Sequence, residues 1–360
     1  MDLNAKIFLA GHNGLVGSAI YELLRKSGYV NIITRTKKEL DLLEQEKVTE
    51  FFKTVRPEYV ILAAARVGGI LANSTYRADF IYENLQIQNN IIHNAYLHNV
   101  KKLLFLGSSC IYPKEANVPI KENELLSSFL EYSNEPYAIA KIAGLKMCES
   151  YNIQYGTNFI AVMPTNMYGL NDNFNLETSH VLPALIRKIY LGKCLSSNKM
   201  SDIIRDLKQY NPEILGESET LKYLERHGIT KNDDKIIITL WGTGAPLREF
   251  LFAEDMAEAC LFLMQNTEFE DLVKINHIES KEIRNTHINL GSGKDISIKD
   301  LASMIAEIIE FDGVIQWDTN KPDGTMRKTL DVSKLKALGW VAKTELKEGI
   351  ETVYRTYLER

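Results

Sequence analysis

Short apolar runs alternate along the first half of the chain with longer stretches in which apolar positions recur every three or four residues. The runs are "KIFLA", "VNIIT", "YVILAAA", "KKLLFLGSS" and "NFIAVMP", and they predict buried strands near 6–10, 30–34, 59–64, 102–108 and 158–163. Between them, "LLEQEKVTEFFKTV", "ADFIYENLQIQNNIIHNAYLHN" and "YAIAKIAGLKMCESYNIQYG" carry helical spacing. Strands that are apolar throughout, separated by amphipathic helices, imply an α/β fold: a doubly wound parallel sheet covered on both faces, with right-handed crossovers.

After about residue 170 the pattern loosens. "HVLPALIRKIYLG" predicts a helix, "SDIIRDLKQY" and "SETLKYLERHG" two short charged helices, and "KIIITLWG" a strand. "AEDMAEACLFLMQ" and "SIKDLASMIAEII" predict two more helices, the second with Ser297 as its N-cap. The expected organisation is a nucleotide-binding domain over 1–170, rejoined by 240–265, and a smaller α/β substrate domain over 171–360.

Composition narrows the classes. The 360 residues are 45% hydrophobic and 25% charged, the balance of a globular chain with a core that needs no disulfides. A net charge of −5 disfavours a nucleic-acid partner, and no apolar run is long enough to span a membrane. The start, "MDLNAKIF", lacks the layout of a signal peptide. Cys110, Cys148, Cys194 and Cys260 form no close pair, so neither a metal centre nor a disulfide framework is expected, and a reducing, cytoplasmic setting fits.

Three places carry candidate chemistry. "GHNGLVG", directly after the first strand, spaces Gly11, Gly14 and Gly17 by threes at the opening of a helix, the arrangement that brings a dinucleotide pyrophosphate to helix N–H groups. The second strand ends in "TRTKK", so Arg35, Lys37 and Lys38 stand where an NAD-selective fold has an acid, which favours NADP. "PYAIAK" places Tyr137 and Lys141 on one helix face, where the ammonium is expected to lower the phenol pKa. Ser108 ends the fourth strand, 29 positions before Tyr137, with a hydroxyl able to bond the same carbonyl oxygen.

The glycine loop, the strand-end serine and Tyr-x-x-x-Lys together resemble the extended short-chain dehydrogenase/reductases. "GSSCIYPK", "RVGGILANSTYRADFIYEN", "PTNMYGLNDNF", "SHVLPAL", "WGTGAPLREFLFAEDMA" and "KPDGTMRKTLDVSKLKALGW" narrow the resemblance to the GDP-L-fucose synthase family, over nearly the whole chain. It implies a Rossmann domain and a homodimer that inverts C3 and C5 of a GDP-linked 4-keto-6-deoxy sugar and then reduces C4 with NADPH. By matched position, Ser108, Tyr137 and Lys141 serve reduction, and Cys110 and His180 serve epimerisation. Gly11, Gly14, Leu15, Val16, Gly17, Arg35, Lys37, Ala64, Asn84, Tyr137, Lys141, Pro164, Asn166 and His180 are the implied cofactor residues. Ser109, Asn166, a cation at position 188 (Lys188, beside Arg187), Trp241, Arg248 and Lys328 are the implied substrate residues.

Read without the resemblance, Cys110 is better taken as packing, His180 as a helix cap and Arg248 as an interfacial salt bridge. Two features depart from the family: Asn13 stands where relatives commonly carry arginine, and an insertion occupies about 194–234, either an inert surface hairpin or part of an altered sugar pocket. The alternative reading is a C4 reductase only, for a related GDP-4-keto sugar such as a 6-deoxy-heptose. A non-catalytic dinucleotide-binding regulator would have no need of Ser108, Tyr137 and Lys141 together.

Overall fold

The computed structural model describes residues 1–213, 216–233, 235–276 and 282–360, with 70 and 71 by backbone alone. The chain opens with β1 (Ile7–Ala10), α1 (Leu15–Lys26), β2 (Ile32–Ile33), α2 (Gln45–Val55), β3 (Tyr59–Leu62), α3 (Ile70–Thr75), α4 (Arg77–Leu97) and β4 (Lys102–Leu106). Next come α5 (Glu135–Tyr155), β5 (Phe159–Pro164), β6 (Asn166–Tyr168), α6 (Val181–Ser196), α7 (Met200–Lys208), α8 (Glu217–Arg226), β7 (Ile229–Asn232) and β8 (Lys235–Trp241). The remainder is β9 (Leu247–Phe252), α9 (Ala253–Asn266), α10 (Phe269–Ile275), β10 (Ile288–Leu290), β11 (Asp295–Ser297), α11 (Ile298–Ile309), β12 (Val314–Asp318), β13 (Arg327–Lys328), α12 (Ser333–Ala337) and α13 (Leu346–Leu358).

Two units divide it. The first comprises Met1–Asn171, Glu249–Lys294 and Thr329–Thr344; the second comprises Asp172–Arg248, Asp295–Lys328 and Glu345–Arg360.

The first unit holds a parallel sheet of order β10-β5-β4-β3-β1-β2. The five expected strands are present, and β10, only three residues long, is a sixth that is too short to stand out as a run. Alternation along the strands sends Phe8, Val60, Leu103 and Phe105 to one face, against Ile91 and Ile92 of α4 and Leu145 of α5. Ile7, Leu9, Ile61 and Leu104 go to the other, against Ile20 and Leu24 of α1 and Met256 and Leu263 of α9. Two covered faces are why these strands read as unbroken apolar runs. Lys102, buried at the start of β4, gives its ammonium to the carbonyls of Leu263 (2.9 Å), Met264 (3.0 Å) and Thr267, capping the end of α9.

In the second unit β8 pairs with β12 in parallel and with β7 antiparallel. Ser297 caps α11 as expected, its Oγ accepting from the Asp300 N–H at 3.0 Å. The insertion is part of this unit's core and not a surface hairpin. Its β7 completes the three-stranded sheet, and Ile203, Leu207, Leu224 and Ile229 are buried. Arg187 of α6, fully buried, donates through Nε to Asp206 of α7 at 2.8 Å and through Nη1 to the Phe174 carbonyl at 3.1 Å. The Tyr357 hydroxyl donates to the other oxygen of Asp206.

Removing one partner of a buried ion pair strands the other charge, at a cost of about 3–5 kcal/mol. Asp206→Ala is expected to lower the unfolding free energy by that amount in urea titration; a change within experimental error would show that the insertion does not share the core.

Candidate active site

Gly11 follows β1 at φ 93°, and a Cβ on it would lie 2.6 Å from the Ala64 nitrogen. A Cβ on Gly17 would lie 2.0 Å from the Gly11 carbonyl oxygen. Both glycines are therefore demanded by the packing of α1 against the ends of β1 and β3. Gly14 is different: it is the N-cap of α1, and a Cβ there would meet only the Gly11 oxygen, at an ordinary 3.5 Å. Its bareness leaves room before the N–H groups of the first turn, where Leu15 and Val16 stand and no acid is present. That helix end is an uncompensated partial positive charge, the environment a pyrophosphate needs.

At the end of β2, Arg35, Lys37 and Lys38 are exposed. Arg35 lies over the Phe51 ring at 5.6 Å, and Lys37 is 3.9 Å from Asp41. The Glu39 carboxylate accepts from the Thr36 N–H at 2.7 Å and the Thr36 hydroxyl at 2.8 Å, so it closes the turn. Asn84 is buried, and its amide brackets Arg66, accepting from the backbone N–H at 3.0 Å and donating to the carbonyl at 3.0 Å. Its other N–H goes to the Phe80 carbonyl at 2.7 Å, so both donors are used in shaping the segment after β3.

The turn after β4 is where the chemistry gathers. Ser108 caps a single 3-10 turn, Ser109–Ile111, its Oγ accepting from the Cys110 N–H at 3.2 Å. Tyr137 enters on the first turn of α5, close to the Ser108 hydroxyl and within electrostatic reach of Cys110. Ser109 is buried in the turn and Cys110 is half-buried. The ring of Phe80 meets that of Tyr137 edge-on at 6.3 Å.

The expected electrostatics are overturned. Burial pushes the Tyr137 phenol above its ordinary value; Cys110 adds to the rise and the Ser108 hydroxyl opposes it. Lys141 does not counter this, because its own burial pushes it down to about 7. Its ammonium donates to the Leu106 carbonyl at 2.8 Å and lies 5.8 Å from the centre of the Tyr137 ring. A spacing of four brings the two side chains together, but loss of solvent costs both charged forms more than their proximity returns.

Pro164 closes β5, and Asn166, exposed at the start of β6, donates to the Glu249 carbonyl at 2.9 Å. Glu249 was not legible as important. Fully buried, its carboxylate accepts from the N–H groups of Gly293 (2.7 Å) and Leu330 (2.8 Å), tying three segments of the first unit together. In "REFLF" nothing marks it apart from a surface acid.

In the second unit Arg248 and Lys328 are register partners on adjacent parallel strands, which sets the two cations side by side. Burial pushes the Arg248 guanidinium below its ordinary value, with Asp323 opposing. It donates to the carbonyls of Leu247 (2.8 Å) and Thr325 (2.5 Å). Trp241 is exposed, with the Lys321 ammonium 5.3 Å from its ring centre. His180 is the exposed N-cap of α6. On that helix Arg187 is a core residue, while Lys188 is half-buried, its pKa pushed down to about 8.

Lys141 makes stability depend on pH with a definite sign. Between its folded pKa of about 7 and its ordinary 10.5, the unfolded chain binds a proton that the folded chain does not, so stability rises with pH across that window and the penalty is complete below it. The contribution is about 1.4 kcal/mol per pH unit. Urea titrations at pH 7 and pH 10 are expected to show a smaller gain for Lys141→Met than for the unaltered chain. Equal gains would contradict the burial of a titrating lysine.

The model of the NAD dependent epimerase/dehydratase family matches residues 7–209 and 222–277, passing over the link between α7 and α8. The putative GDP-L-fucose synthase 2 of Arabidopsis thaliana is 49% identical over 360 residues, covering 100% of this chain and 93% of its own length. The GDP-L-fucose synthase of Escherichia coli K12 is 44% identical, covering 98% and 97%. Among solved structures, the GDP-mannoheptose C4 reductase of Campylobacter jejuni with NADP bound aligns with a TM-score of 0.88 at 46% identity, covering 99% of both chains. The chain belongs to the NAD dependent epimerase/dehydratase family and, within it, to the GDP-L-fucose synthases.

Proposed function

We propose that this chain is an NADPH-dependent epimerase-reductase that converts a GDP-4-keto-6-deoxy sugar into GDP-L-fucose. The observation that carries the reading is the gathering of Ser108, Cys110 and Tyr137 at the end of β4. NADPH, when bound, supplies the hydride for C4. Gly11, Gly14 and Gly17, with the N–H groups of Leu15 and Val16, would hold its pyrophosphate. Arg35 and Lys37 would take the 2′-phosphate, without the help of an arginine at position 13.

The residues divide the work by chemistry. A ketone oxygen gains negative charge as hydride arrives, and the Tyr137 phenol, kept protonated at neutral pH by burial, gives it a proton while the Ser108 hydroxyl bonds the same oxygen. The Lys141 ammonium fixes α5 to the last carbonyl of β4, which holds Tyr137 against Ser108. C3 and C5 flank the ketone, so their hydrogens are acidic. Proton removal and return are the work assigned to Cys110 and His180, a thiol and an imidazole; loss of solvent around the His180 ring holds it below its ordinary value and so favours the neutral, proton-accepting form. For the GDP-sugar we assign Ser109 and Asn166 from the first unit, and Lys188, Trp241, Arg248 and Lys328 from the second.

A second reading is favoured by the 46% identity to a heptose C4 reductase along its whole length: reduction without epimerisation, on a GDP-4-keto heptose, with the insertion shaping the sugar end of the second unit. For assembly we propose a homodimer through α4 and α5, which expose Tyr82, Leu97, Ile139, Ile153 and Tyr155. The four cysteines are free, which fits a reducing cytoplasm.

In heavy water the enzyme is expected to place deuterium at C3 and C5 of the 4-keto substrate, read by NMR, and Cys110→Ala to lose that incorporation. Tyr137→Phe should lower C4 reduction by about 10²–10⁴-fold with folding intact. Reduction with no deuterium at either carbon would establish the second reading. For the cofactor, NADPH should bind more tightly than NADH, and alanine at both Arg35 and Lys37 should remove most of the preference, charge-assisted contacts being worth about 1.5–3 kcal/mol each. Equal affinities in the unaltered enzyme would refute the 2′-phosphate assignment.

A further inference from the structure

Tyr112 closes the segment that carries Ser108, Ser109 and Cys110, and it is buried, 2% exposed. Its hydroxyl donates to Asn289 Oδ1 and lies 3.0 Å from His287 Nε2. Both partners sit at β10, the short edge strand, and both are buried.

The directions of these bonds follow from the partners. Asn289 Nδ2 donates to the carbonyls of Ile120 (2.9 Å) and Asp331 (3.1 Å), which fixes the amide with its oxygen towards Tyr112. The hydroxyl must then donate to that oxygen, and its own oxygen accepts from His287 Nε2–H. The imidazole is thereby neutral, with a bare Nδ1 that has no partner among the described residues, and burial with the nearby Lys334 and Lys146 ammoniums holds it there. Glu122 accepts the Asn289 N–H at 3.0 Å, and the Lys334 ammonium donates to the carbonyls of Asn285 (3.0 Å) and His287 (2.8 Å). Every bond has one sense, so Tyr112 has one position.

The two ends of the turn are held unequally. At the Ser108 end the chain is still in the sheet, Gly107 donating to the Val162 carbonyl at 2.8 Å. Beyond Cys110 the turn's own bonds, Ile111 to Ser108 and Tyr112 to Ser109, are both long at 3.3 Å. The side-chain tether on that side is the Tyr112 hydroxyl, with the Lys114 N–H donating to the Phe129 carbonyl at 3.0 Å two residues further on.

We propose that Tyr112, through His287 and Asn289, is a positioning residue for Cys110, and that it governs proton exchange at C3 and C5 more than hydride transfer to C4. The proposal rests on the epimerase-reductase reading. It leaves Tyr137 and Ser108 to the sheet end of the turn and makes the two half-reactions separable.

Tyr112→Phe and His287→Leu each break the tether, while His287→Gln keeps an N–H donor near the place of Nε2. Three rates are compared with those of the unaltered enzyme: deuterium entry at C3 and C5, C4 reduction with NADPH, and alkylation of Cys110 by iodoacetamide, mapped by mass spectrometry. The buried Cys148, Cys194 and Cys260 report any general loosening. In the first two variants deuterium entry should fall at least tenfold more than reduction, and Cys110 alkylation should change at least threefold while the other three cysteines do not. His287→Gln should restore both. A ratio and an alkylation rate unchanged in Tyr112→Phe and His287→Leu overturn the proposal, as does a proportional loss of both activities with all four cysteines becoming reactive. If the unaltered enzyme places no deuterium at C3 or C5, the epimerase reading fails by itself, and the alkylation of Cys110 alone decides whether Tyr112 positions it.

Discussion

The Gly11 carbonyl is the point on which the first unit is built. Gly17 of α1 lies so near it that a single methyl group would collide, and Ala64, just past β3, closes on Gly11 from the other side. This contact presses the helix start against the carboxyl ends of two neighbouring strands. Once that is fixed, the N–H groups of α1, the cations after β2 and the segment held by Asn84 all lie at the same edge of the sheet. Bulk at Gly11 or Gly17 would push the helix away and disperse them. The same edge, two strands along, carries the Ser108 turn.

A second constraint acts through buried polar groups. Lys102, Glu122, Lys141, Glu249 and Asn289 are all buried, and each bonds backbone groups of segments remote in sequence. Burying such groups is costly unless their partners are in place. Their service is to fix which segment meets which: Lys102 joins β4 to the end of α9, Glu249 joins β9 to two loops, and Asn289 joins β10 to the strands of chain around Ile120 and Asp331. An apolar core alone would fill the space without selecting among such pairings.

The sheet was readable because its signal is local. Each of the five strands is a run of apolar residues between helical stretches, and two-sided burial leaves no polar face to blur it. β10 escaped because three residues make no period. Within the candidate site, Ser108 at a strand end and Tyr137 on the same helix face as Lys141 follow from spacing, and the structure brings Ser108 and Cys110 to Tyr137. Glu249, Arg187 and Tyr112 were invisible for one physical reason. Their importance lies in partners 13 to 177 positions away, and nothing in the neighbouring residues records a long-range hydrogen bond.

The Tyr137–Lys141 pair shows where spacing stops being informative. Proximity can be read from a helical repeat; solvation cannot. An ammonium beside a phenol lowers the phenol pKa only while the ammonium keeps its charge, and Lys141, wholly enclosed with a carbonyl and the Phe105 ring for company, is half-neutral near pH 7. The pair is consequently suited to giving a proton and less to taking one. A phenol that keeps its proton is the right partner for a ketone oxygen becoming an alkoxide, and the wrong group to strip an acidic C–H. The two halves of an epimerase-reductase thus need different residues, which is why the second half is proposed to fall to a half-buried thiol two positions from the serine and not to the buried tyrosine.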